Sequence, residues 1–469
     1  MNLRPLLAAS AAFALPFLIQ PATAQRAAPP PAPALDPQVA VLRDAALKDD
    51  VAYDIVEGLT TEVGPRMAGT EAEARARAWG LAKMKALGFK NVRIETAMMR
   101  TWVRGVETGE VVSPFPQKLQ LTALGGSGAT PADGITAEIV YFPSFADLQR
   151  APDGSLKGKI AFVSNAMVAT QDGSSYGTFG SARFVGPNLA AKKGAVAMVI
   201  RSIGSDHGRG PHTGQTNFEK GVTPIPAAAL STSDADNLSR MVKRGKPITL
   251  HLILTPRDLG MTETGNVIGE VPGTDPDAGI IVVGGHLDSW DLGTGAIDDG
   301  AGVAITAAAA KRLLDGPAPR RTIRVVWFGD EETGGAGAEA YFAAHKAERH
   351  VLVAESDFGA DRVWRVAFKL PPAASAVGDR VYAALAPLGI VRSREAAGGG
   401  ADVAPLVRAG VAVIDLNQSG TRYFDYHHTP EDTLERIDPA QLAQNVAAWT
   451  AMLTVVANAP EALDPAPAK

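Results

Sequence analysis

Residues 279–314 read GIIVVGGHLDSWDLGTGAIDDGAGVAITAAAAKRLL, and the fold class follows from their pattern. Gly279–Gly285 is a continuous apolar run, which is expected of a strand whose two faces are both buried. Gly302–Leu314 then predicts a strong helix. A buried strand followed by a loop and a helix is the repeating unit of open α/β sheets.

The same strand–loop–helix rhythm continues on the C-terminal side of this stretch. Thr322–Phe328 is a further apolar strand, and Ala336–Lys346 is a helical patch. Val351–Ala354 and Val411–Leu416 predict shorter strands, and Pro439–Val456 predicts a closing helix. Strands that alternate with helices in this way form a mainly parallel sheet with helices on both faces. We therefore predict an α/β fold in which helices sandwich a mainly parallel sheet.

The region from about Glu110 to Pro256 has a different character. Short β-rich runs, such as Ile135–Phe142 and Ile248–Leu254, are separated by Gly-rich loops. We interpret this region as a smaller α+β domain inserted into the α/β domain. The predicted organisation is a signal peptide, a Pro/Ala linker, a first part of the α/β domain, the insert, a second part and a tail, over residues 1–24, 25–37, 38–110, 111–256, 257–460 and 461–469.

The N-terminal residues have the pattern of an export signal. Arg4 precedes an apolar stretch from about Leu6 to Ile19, and Ala22-Thr23-Ala24 offers small residues for cleavage. Pro16 interrupts the apolar stretch, which is short for a bilayer span. We therefore predict a periplasmic or secreted protein with no membrane span after cleavage.

The composition narrows the chemistry of any site. The 469 residues include no cysteine, which excludes disulfides, thiolate nucleophiles and every Cys-ligated metal site. A metal must therefore be held by His, Asp and Glu. The balance of 45 Lys+Arg against 50 Asp+Glu gives a formal net charge of −5, so we expect no nucleic-acid partner. A homodimer is compatible with these features.

Acids and histidines follow the predicted strands of the C-terminal half. They are His286 and Asp288, Asp298 and Asp299, Glu331 and Glu332, Glu355 and Asp357, and His427 and His428. Each pair alone is compatible with a helix cap or a solvated surface. In open α/β sheets, however, ligands bind beyond the carboxyl ends of the strands, so all of these groups are expected to meet in one cleft. A site with two metals needs roughly five ligands, one of them a bridging carboxylate, and the supply here fits two.

These pieces together resemble the co-catalytic dizinc exopeptidases, which include bacterial leucyl aminopeptidases, glutamate carboxypeptidase II and carboxypeptidase Q. The matching motifs, in the order of the family, are GHLDSW (285–290), GAIDDGAG (295–302), DEE (330–332), ESD (355–357) and YHHTPEDT (426–433). The ESD motif and the doubled histidine are most similar to the carboxypeptidase Q branch. The inserted region resembles the protease-associated domain that several members carry.

The resemblance implies a role for each matching residue. Glu331 matches the general base, and Asp288 matches the acid that orients a histidine ligand. Asp298, rather than Asp299, matches the carboxylate that bridges two zinc ions. The residues that match zinc ligands are His286 and Asp357 for one ion and Glu332 and His428 for the other, with Asp298 shared between them.

The resemblance leaves the roles of two further parts of the site unassigned. Several members have a tyrosine immediately before the last histidine, where it supports the oxyanion, whereas this chain has His427 there. His427, Tyr426 or Tyr423 is therefore the candidate oxyanion donor. Gly400 and Asp402, in the sequence GGGAD, either frame the end of the substrate or belong to a Gly-rich turn before a helix that Asp402 caps.

The implied function is that of an exported exopeptidase with two zinc ions, an aminopeptidase or dipeptidase that hydrolyses the terminal bonds of short peptides through a dizinc-activated water. A glutamate-type carboxypeptidase is an alternative, and Arg392, Arg394, Arg408 and Arg422 are its candidate anchors for an acidic residue. A non-peptide amidohydrolase and a glutaminyl-cyclase-like enzyme are further alternatives. A non-catalytic binding protein is the least favoured.

Overall fold

The structure, a computed structural model, describes residues 36–48 and 50–464. The predicted signal peptide and most of the predicted linker and tail lie outside these residues. The strands within the described ranges form two sheets. In chain order they are β1 (Lys90–Val103), β2 (Glu107–Ser113), β3 (Gln117–Leu119), β4 (Leu121–Ala123), β5 (Ile135–Phe142), β6 (Ile160–Val163), β7 (Ala197–Arg201), β8 (Ala227–Leu230), β9 (Thr249–Leu254), β10 (Arg257–Val271), β11 (Ile280–His286), β12 (Thr322–Phe328), β13 (His350–Glu355), β14 (Val363–Lys369), β15 (Val391–Arg392) and β16 (Ala412–Gln418).

The α-helices connect these strands. In chain order they are α1 (Pro37–Ala46), α2 (Val51–Gly58), α3 (Glu71–Ala86), α4 (Phe145–Arg150), α5 (Ser174–Phe179), α6 (Ser181–Phe184), α7 (Gly186–Lys192), α8 (Thr232–Val242), α9 (Ala301–Leu314), α10 (Ala336–His345), α11 (Ser375–Leu385), α12 (Ala404–Arg408), α13 (Tyr423–Tyr426) and α14 (Pro439–Asn458). No helix in the described ranges combines the length and the apolar character that a bilayer crossing requires.

The first sheet has the strand order β1-β10-β12-β11-β13-β16-β14-β15. Its centre, β12-β11-β13-β16, is parallel throughout. The predicted α/β fold with a mainly parallel sheet is therefore confirmed. Towards the edges the pairing differs, because β10 runs antiparallel to both β1 and β12, and β14 runs antiparallel to β16.

The central strand β11 is buried on both faces, which explains its continuous apolar sequence. Ile281 and Val283 pack in the core that includes α9 and α14. Val282, which points to the opposite face, packs in a second core with Ala338 of α10. Side chains alternate between the faces of a strand, so an uninterrupted apolar run fits only a sheet covered twice.

The second sheet has the order β3-β2-β9-β5-β6-β7-β8-β4 and takes all its strands from residues 107–254. The chain leaves the first sheet after β1 and returns to it with β10. Helices α4 to α8 lie in the same stretch, which therefore has mixed α and β content. The domain limits and the likeness of this region to a protease-associated domain stay predictions.

Helix α3 begins where the sequence predicts, with Thr70 as its N-cap. The Thr70 hydroxyl accepts the backbone N–H of Glu73, and the Glu73 carboxylate accepts the N–H of Gly69. We expect Thr70→Ala to lower the free energy of unfolding by about 1 kcal/mol, since one end of this reciprocal cap is lost. Denaturant unfolding measures the change. Thr61→Ala is the control, because the exposed Thr61 hydroxyl makes no hydrogen bond within the described ranges; an equal loss in both variants would contradict the assignment.

Candidate metal centre

The side chains that follow the parallel strands meet in one cleft of about 540 Å³. Its lining includes Asp298, Glu331, Glu332, Asp357, His427 and His428. His286 and Asp288, at the end of β11, lie fully buried beside it. The structure thus brings together the side chains of all the strand-end clusters, as expected from the carboxyl ends of neighbouring parallel strands.

The carboxylate of Asp298 lies between two pairs of side chains. Its Oδ1 atom is 3.2 Å from Nε2 of His286, which is in turn 3.5 Å from Oδ1 of Asp357. Its Oδ2 atom is 3.2 Å from Nε2 of His428, which is in turn 3.0 Å from Oε2 of Glu332. Each oxygen of one carboxylate therefore faces its own histidine–carboxylate pair, which is the arrangement that a bridging ligand needs.

The doubled histidine places two rings against the same carboxylate. His427 and His428 stack with ring centroids 3.5 Å apart. Nε2 of His427 is 3.6 Å from Oδ2 of Asp298, farther than that of His428, and His428 also contacts Glu332. Two groups of metal-ligand type have their donor atoms within 4.8 Å of one another, Asp298 with His427 and His428, and His286 with Asp298 and Asp357.

The chemistry of this donor set fits divalent metal cations. Oδ2 of Asp298, Oε1 of Glu332 and Oδ1 of Asp357 are buried and have no hydrogen-bond partner within the described ranges. Buried carboxylate oxygens without donors are costly unless a cation compensates them. With histidine nitrogens and no sulfur among the donors, zinc is a suitable ion.

Glu331 lines the same cleft. Within the described ranges, its side chain makes no hydrogen bond to either histidine–carboxylate pair. Burial raises the pKa of Glu331 well above its ordinary value, and the charges of Asp357 and Glu332 raise it further. An upward shift of its pKa makes a carboxylate a stronger proton acceptor, which suits a general base.

Two of the histidines at Asp298, His286 and His428, are each oriented through their other ring nitrogen. Nδ1 of His286 lies 2.9 Å from the carbonyl oxygen of Asp288, whereas the Asp288 carboxylate is 3.8 Å away. That carboxylate instead accepts the backbone N–H groups of Glu331 and Glu332, at 3.2 and 3.4 Å. Asp288 therefore supports both the histidine and the Glu331–Glu332 turn, the first through its backbone and the second through its side chain.

His428 is oriented by a loop between β7 and β8, which sequence reasoning did not place at the site. Nδ1 of His428 lies 3.2 Å from the carbonyl oxygen of Thr213, and the Thr213 N–H donates to the carbonyl oxygen of His428 at 3.0 Å. In the same loop, His212 contacts the carbonyl oxygen of His427 through one ring nitrogen and Asp206 through the other, at 2.7 and 2.8 Å. In the sequence, this loop is distinguished only by its content of His and Gly.

Two further residues, to which no role is assigned from the sequence, hold the loop between β11 and α9. The buried guanidinium of Arg66 donates to the carbonyl oxygens of Leu287, Thr294 and Gly295. Asp432 accepts the N–H groups of Ala296 and Ile297 at 2.8 and 2.7 Å. Asp432 lies in a motif that the sequence singles out, whereas Arg66 carries no local signal. Together they fix the loop that presents Asp298.

Asp299 has a structural environment that separates it from its neighbour Asp298. It accepts the N–H of His286 at 3.2 Å and that of Gly302 at 2.9 Å. A Cβ atom at Gly285 would lie 2.0 Å from the Asp299 carboxylate, and one at Gly302 would lie 1.7 Å from the carbonyl oxygen of Ser356. The two glycines therefore allow the close approach by which Asp299 ties β11 to α9.

The remaining candidates from the sequence lie at different positions relative to the cleft. Tyr423 and His427 line the cleft, whereas Tyr426 lines a separate small pocket under the guanidinium of Arg436. Both carboxylate oxygens of the buried Asp402 lack a hydrogen-bond partner within the described ranges, so Asp402 does not cap the helix that follows. The four candidate anchors of an acidic substrate residue do not line the cleft; they are Arg392, Arg394, Arg408 and Arg422.

Comparison with known proteins agrees with this geometry. Residues 266–453 match the profile of Peptidase family M28. Carboxypeptidase Q of Bos taurus is 35% identical over 415 residues, which cover 88% of this chain and 86% of that protein. The crystal structure of a peptidase M28 precursor from Shewanella amazonensis SB2B has 47% identity and a TM-score of 0.90, over 92% of this chain and 98% of that chain. A zinc aminopeptidase of Bacillus subtilis has 22% identity, a TM-score of 0.61 and coverage of 89% and 98%, which is a likeness of fold.

The fold, the cleft and these similarities define a metallo-exopeptidase, a hydrolase that acts on the ends of peptides. The chain belongs to peptidase family M28. The resemblance inferred from the motifs is therefore confirmed, and the sequence of this chain is similar to carboxypeptidase Q over most of its length.

Proposed function

We propose that the protein is an exported zinc exopeptidase that removes the terminal residue of short peptides as an aminopeptidase or dipeptidase. The observation that carries the proposal is the division of the two Asp298 oxygens between two histidine–carboxylate pairs. Export, to the periplasm or the medium, rests on the N-terminal pattern of a charged residue, an apolar stretch and small residues.

Each half of the Asp298 carboxylate belongs to one proposed zinc site. Oδ1 serves the site with His286 and Asp357, and Oδ2 serves the site with Glu332 and His428. When bound, the zinc ions lower the pKa of water towards neutrality and polarise the carbonyl group of the scissile bond. The support for two ions, rather than one, is that each pair has its own oxygen.

Glu331 is the proposed general base. It accepts a proton from the attacking water and passes it to the nitrogen of the scissile bond, so the leaving group departs as a neutral amine rather than as an anion. The Asp288 carboxylate holds the backbone N–H of Glu331 and thereby fixes where the base lies. Glu332, the next residue, turns to His428, so the two adjacent glutamates have separate tasks.

Recognition of a free amino end is supported by an acidic cavity beside the cleft. This cavity of about 180 Å³ is lined by Asp172, Glu355, Asp357, Gly400 and Asp415, among others. The Glu355 carboxylate lies so close to Gly400 that a Cβ there would be 1.9 Å from Oε1, and that oxygen has no hydrogen-bond partner in the described ranges. An ammonium group is the cation that a peptide offers to such a lining.

A panel of free and blocked dipeptides tests this assignment. We expect N-acetylation to lower kcat/KM by about 10- to 100-fold, because a hydrogen-bonded ammonium is lost, whereas amidation of the carboxyl end changes kcat/KM less. Glu355→Gln is expected to raise KM for free dipeptides and to narrow the difference between free and acetylated substrates. Glu395→Gln, an exposed glutamate outside the cavity, is the control.

The opposite result would favour the glutamate-type alternative. If N-acylated dipeptides with an acidic C-terminal residue were hydrolysed fastest, the proposed amino-end recognition would be wrong. Hydrolysis of non-peptide amides alone, or cyclisation of N-terminal glutamine, would favour the remaining alternatives.

A further inference from the structure

Tyr176 lines the cleft from outside the α/β sheet. Tyr176 belongs to α5, in the stretch between β6 and β7 of the second sheet, and lines the same cavity as Glu331, Glu332 and His428. Its ring stacks on Phe424, with centroids 4.7 Å apart, and meets His427 edge-on at 5.2 Å. These ring contacts hold Tyr176 against Phe424 and His427.

The oxygen of Tyr176 is held by a buried cation, Arg183 of α6. One guanidinium nitrogen of Arg183 donates to the Tyr176 oxygen. The other terminal nitrogen donates to the carbonyl oxygen of Thr213 at 3.1 Å and lies 3.5 Å from Nδ1 of His428. A single guanidinium therefore spans the distance from the Tyr176 hydroxyl to a proposed zinc ligand.

Arg183 has no carboxylate partner to explain its burial. Only 1% of its surface is exposed, its Nε atom has no hydrogen-bond partner, and it forms no ion pair within the described ranges. Its guanidinium rests on the rings of Phe184 and Tyr176 and against Gly214, where a Cβ would lie 2.4 Å from Cζ. Burying a positive charge without an anion is costly in the resting protein. Such a charge stabilises negative charge that develops nearby during the reaction.

The hydrogen-bond direction leaves the Tyr176 proton available. Because the Tyr176 oxygen accepts from Arg183, its own O–H points elsewhere and is free to donate into the cleft. An adjacent cation strengthens a hydroxyl donor and stabilises negative charge on the group that accepts from it. Tyr423, the other tyrosine of the cleft, has no such cation at its hydroxyl within the described ranges.

We propose that Tyr176, oriented by Arg183, donates a hydrogen bond to the carbonyl oxygen of the scissile bond as that oxygen becomes negative. The inference rests on the proposed function and deepens it, because it gives the second sheet a catalytic residue. The region of the second sheet then completes the active site rather than only covering it. Arg183 is a positioning residue, since it acts through Tyr176.

The test is Tyr176→Phe, which removes the hydroxyl and keeps the ring contacts. We expect kcat/KM for a free dipeptide to fall by about 10²–10³-fold, the usual effect of one oxyanion donor, with KM nearly unchanged. Binding of a phosphinic dipeptide analogue, measured by calorimetry, is expected to weaken in parallel, since its tetrahedral centre carries the negative oxygen. Zinc content and melting temperature are expected to stay at their wild-type values.

Matched variants make the result specific. Tyr141→Phe, in β5 and away from the cleft, is expected to change nothing. Arg183→Met is expected to lower kcat/KM as Tyr176→Phe does, and the double variant to lose little more, because the two residues act as one unit.

Two outcomes would overturn the inference. Tyr176→Phe retaining wild-type kcat and analogue affinity would do so, as would a full loss in Tyr423→Phe alone. A wild-type protein that binds the phosphinic analogue but hydrolyses no dipeptide would remove the proposed function, while the loss of analogue affinity in Tyr176→Phe would still support the hydrogen bond.

Discussion

Glu331→Gln is expected to lower kcat by about 10²–10⁴-fold, the range of general acid–base catalysis. The amide keeps the size of the side chain but cannot accept the proton of the attacking water. KM is expected to stay near the wild-type value, because Glu331 acts in the transition state rather than in binding. Initial rates on a free dipeptide, together with zinc analysis of the purified variant, measure both parts of the expectation.

The control for this variant lies eight residues along the chain. Glu339→Gln changes an exposed glutamate of α10 that pairs with Arg408, and it is expected to leave kcat and zinc content unchanged. A Glu331→Gln protein that loses zinc would show that Glu331 is a ligand instead of a base. Full activity in Glu331→Gln would remove the proposed mechanism.

The centre of the fold could be predicted from the sequence because buried strands and helices have characteristic patterns of apolar residues. The apolar run before His286 fits only a strand with cores on both faces, and Ile281, Val282 and Val283 do alternate between two cores. The helix that follows starts within one residue of its predicted position, at Ala301. Local pattern and tertiary burial agree there, so the prediction holds.

The edges of the first sheet could not be predicted in the same way. The antiparallel pairing of β1 with β10 joins residues such as Glu95 and Asn266, which are separated by the whole second sheet. Nothing in the residues of either strand specifies a partner so distant along the chain. The sequence does not predict strand β10, because only the second half of this strand is buried and its residues form no clear apolar run.

For the candidate site, the sequence indicated the groups at the strand ends but not the groups that hold them. The strand-end acids and histidines occur in recognisable local motifs. By contrast, Thr213 acts through its backbone. Arg66 is 221 residues from Leu287 along the chain, and Arg183 is 245 residues from His428. Contacts of this kind depend on the packing of the whole chain, which local patterns do not record.

Asp298→Ala is expected to have the largest effect on both metal content and activity. Removing the proposed bridging carboxylate takes one oxygen from each proposed zinc site at once. It also leaves the buried oxygens Oε1 of Glu332 and Oδ1 of Asp357 with less compensation. Zinc content is expected to fall from about two ions per chain to less than one, and dipeptide hydrolysis to fall to the background of the assay. Metal analysis after gel filtration and initial-rate kinetics measure these two quantities.

The neighbouring aspartate separates loss of metal from loss of fold. Asp299→Asn removes one of two acceptors for backbone N–H groups, so we expect it to lower the free energy of unfolding by about 1–3 kcal/mol. Asp298→Ala is expected instead to keep the circular dichroism spectrum of the wild-type protein, because its carboxylate contacts side chains of the site rather than the backbone. Chelation of the wild-type protein should then reproduce the activity loss of Asp298→Ala, and readdition of zinc should reverse it only in the wild type. If Asp298→Ala kept two zinc ions per chain, or if Asp299→Asn alone lost them, the bridging role would belong elsewhere.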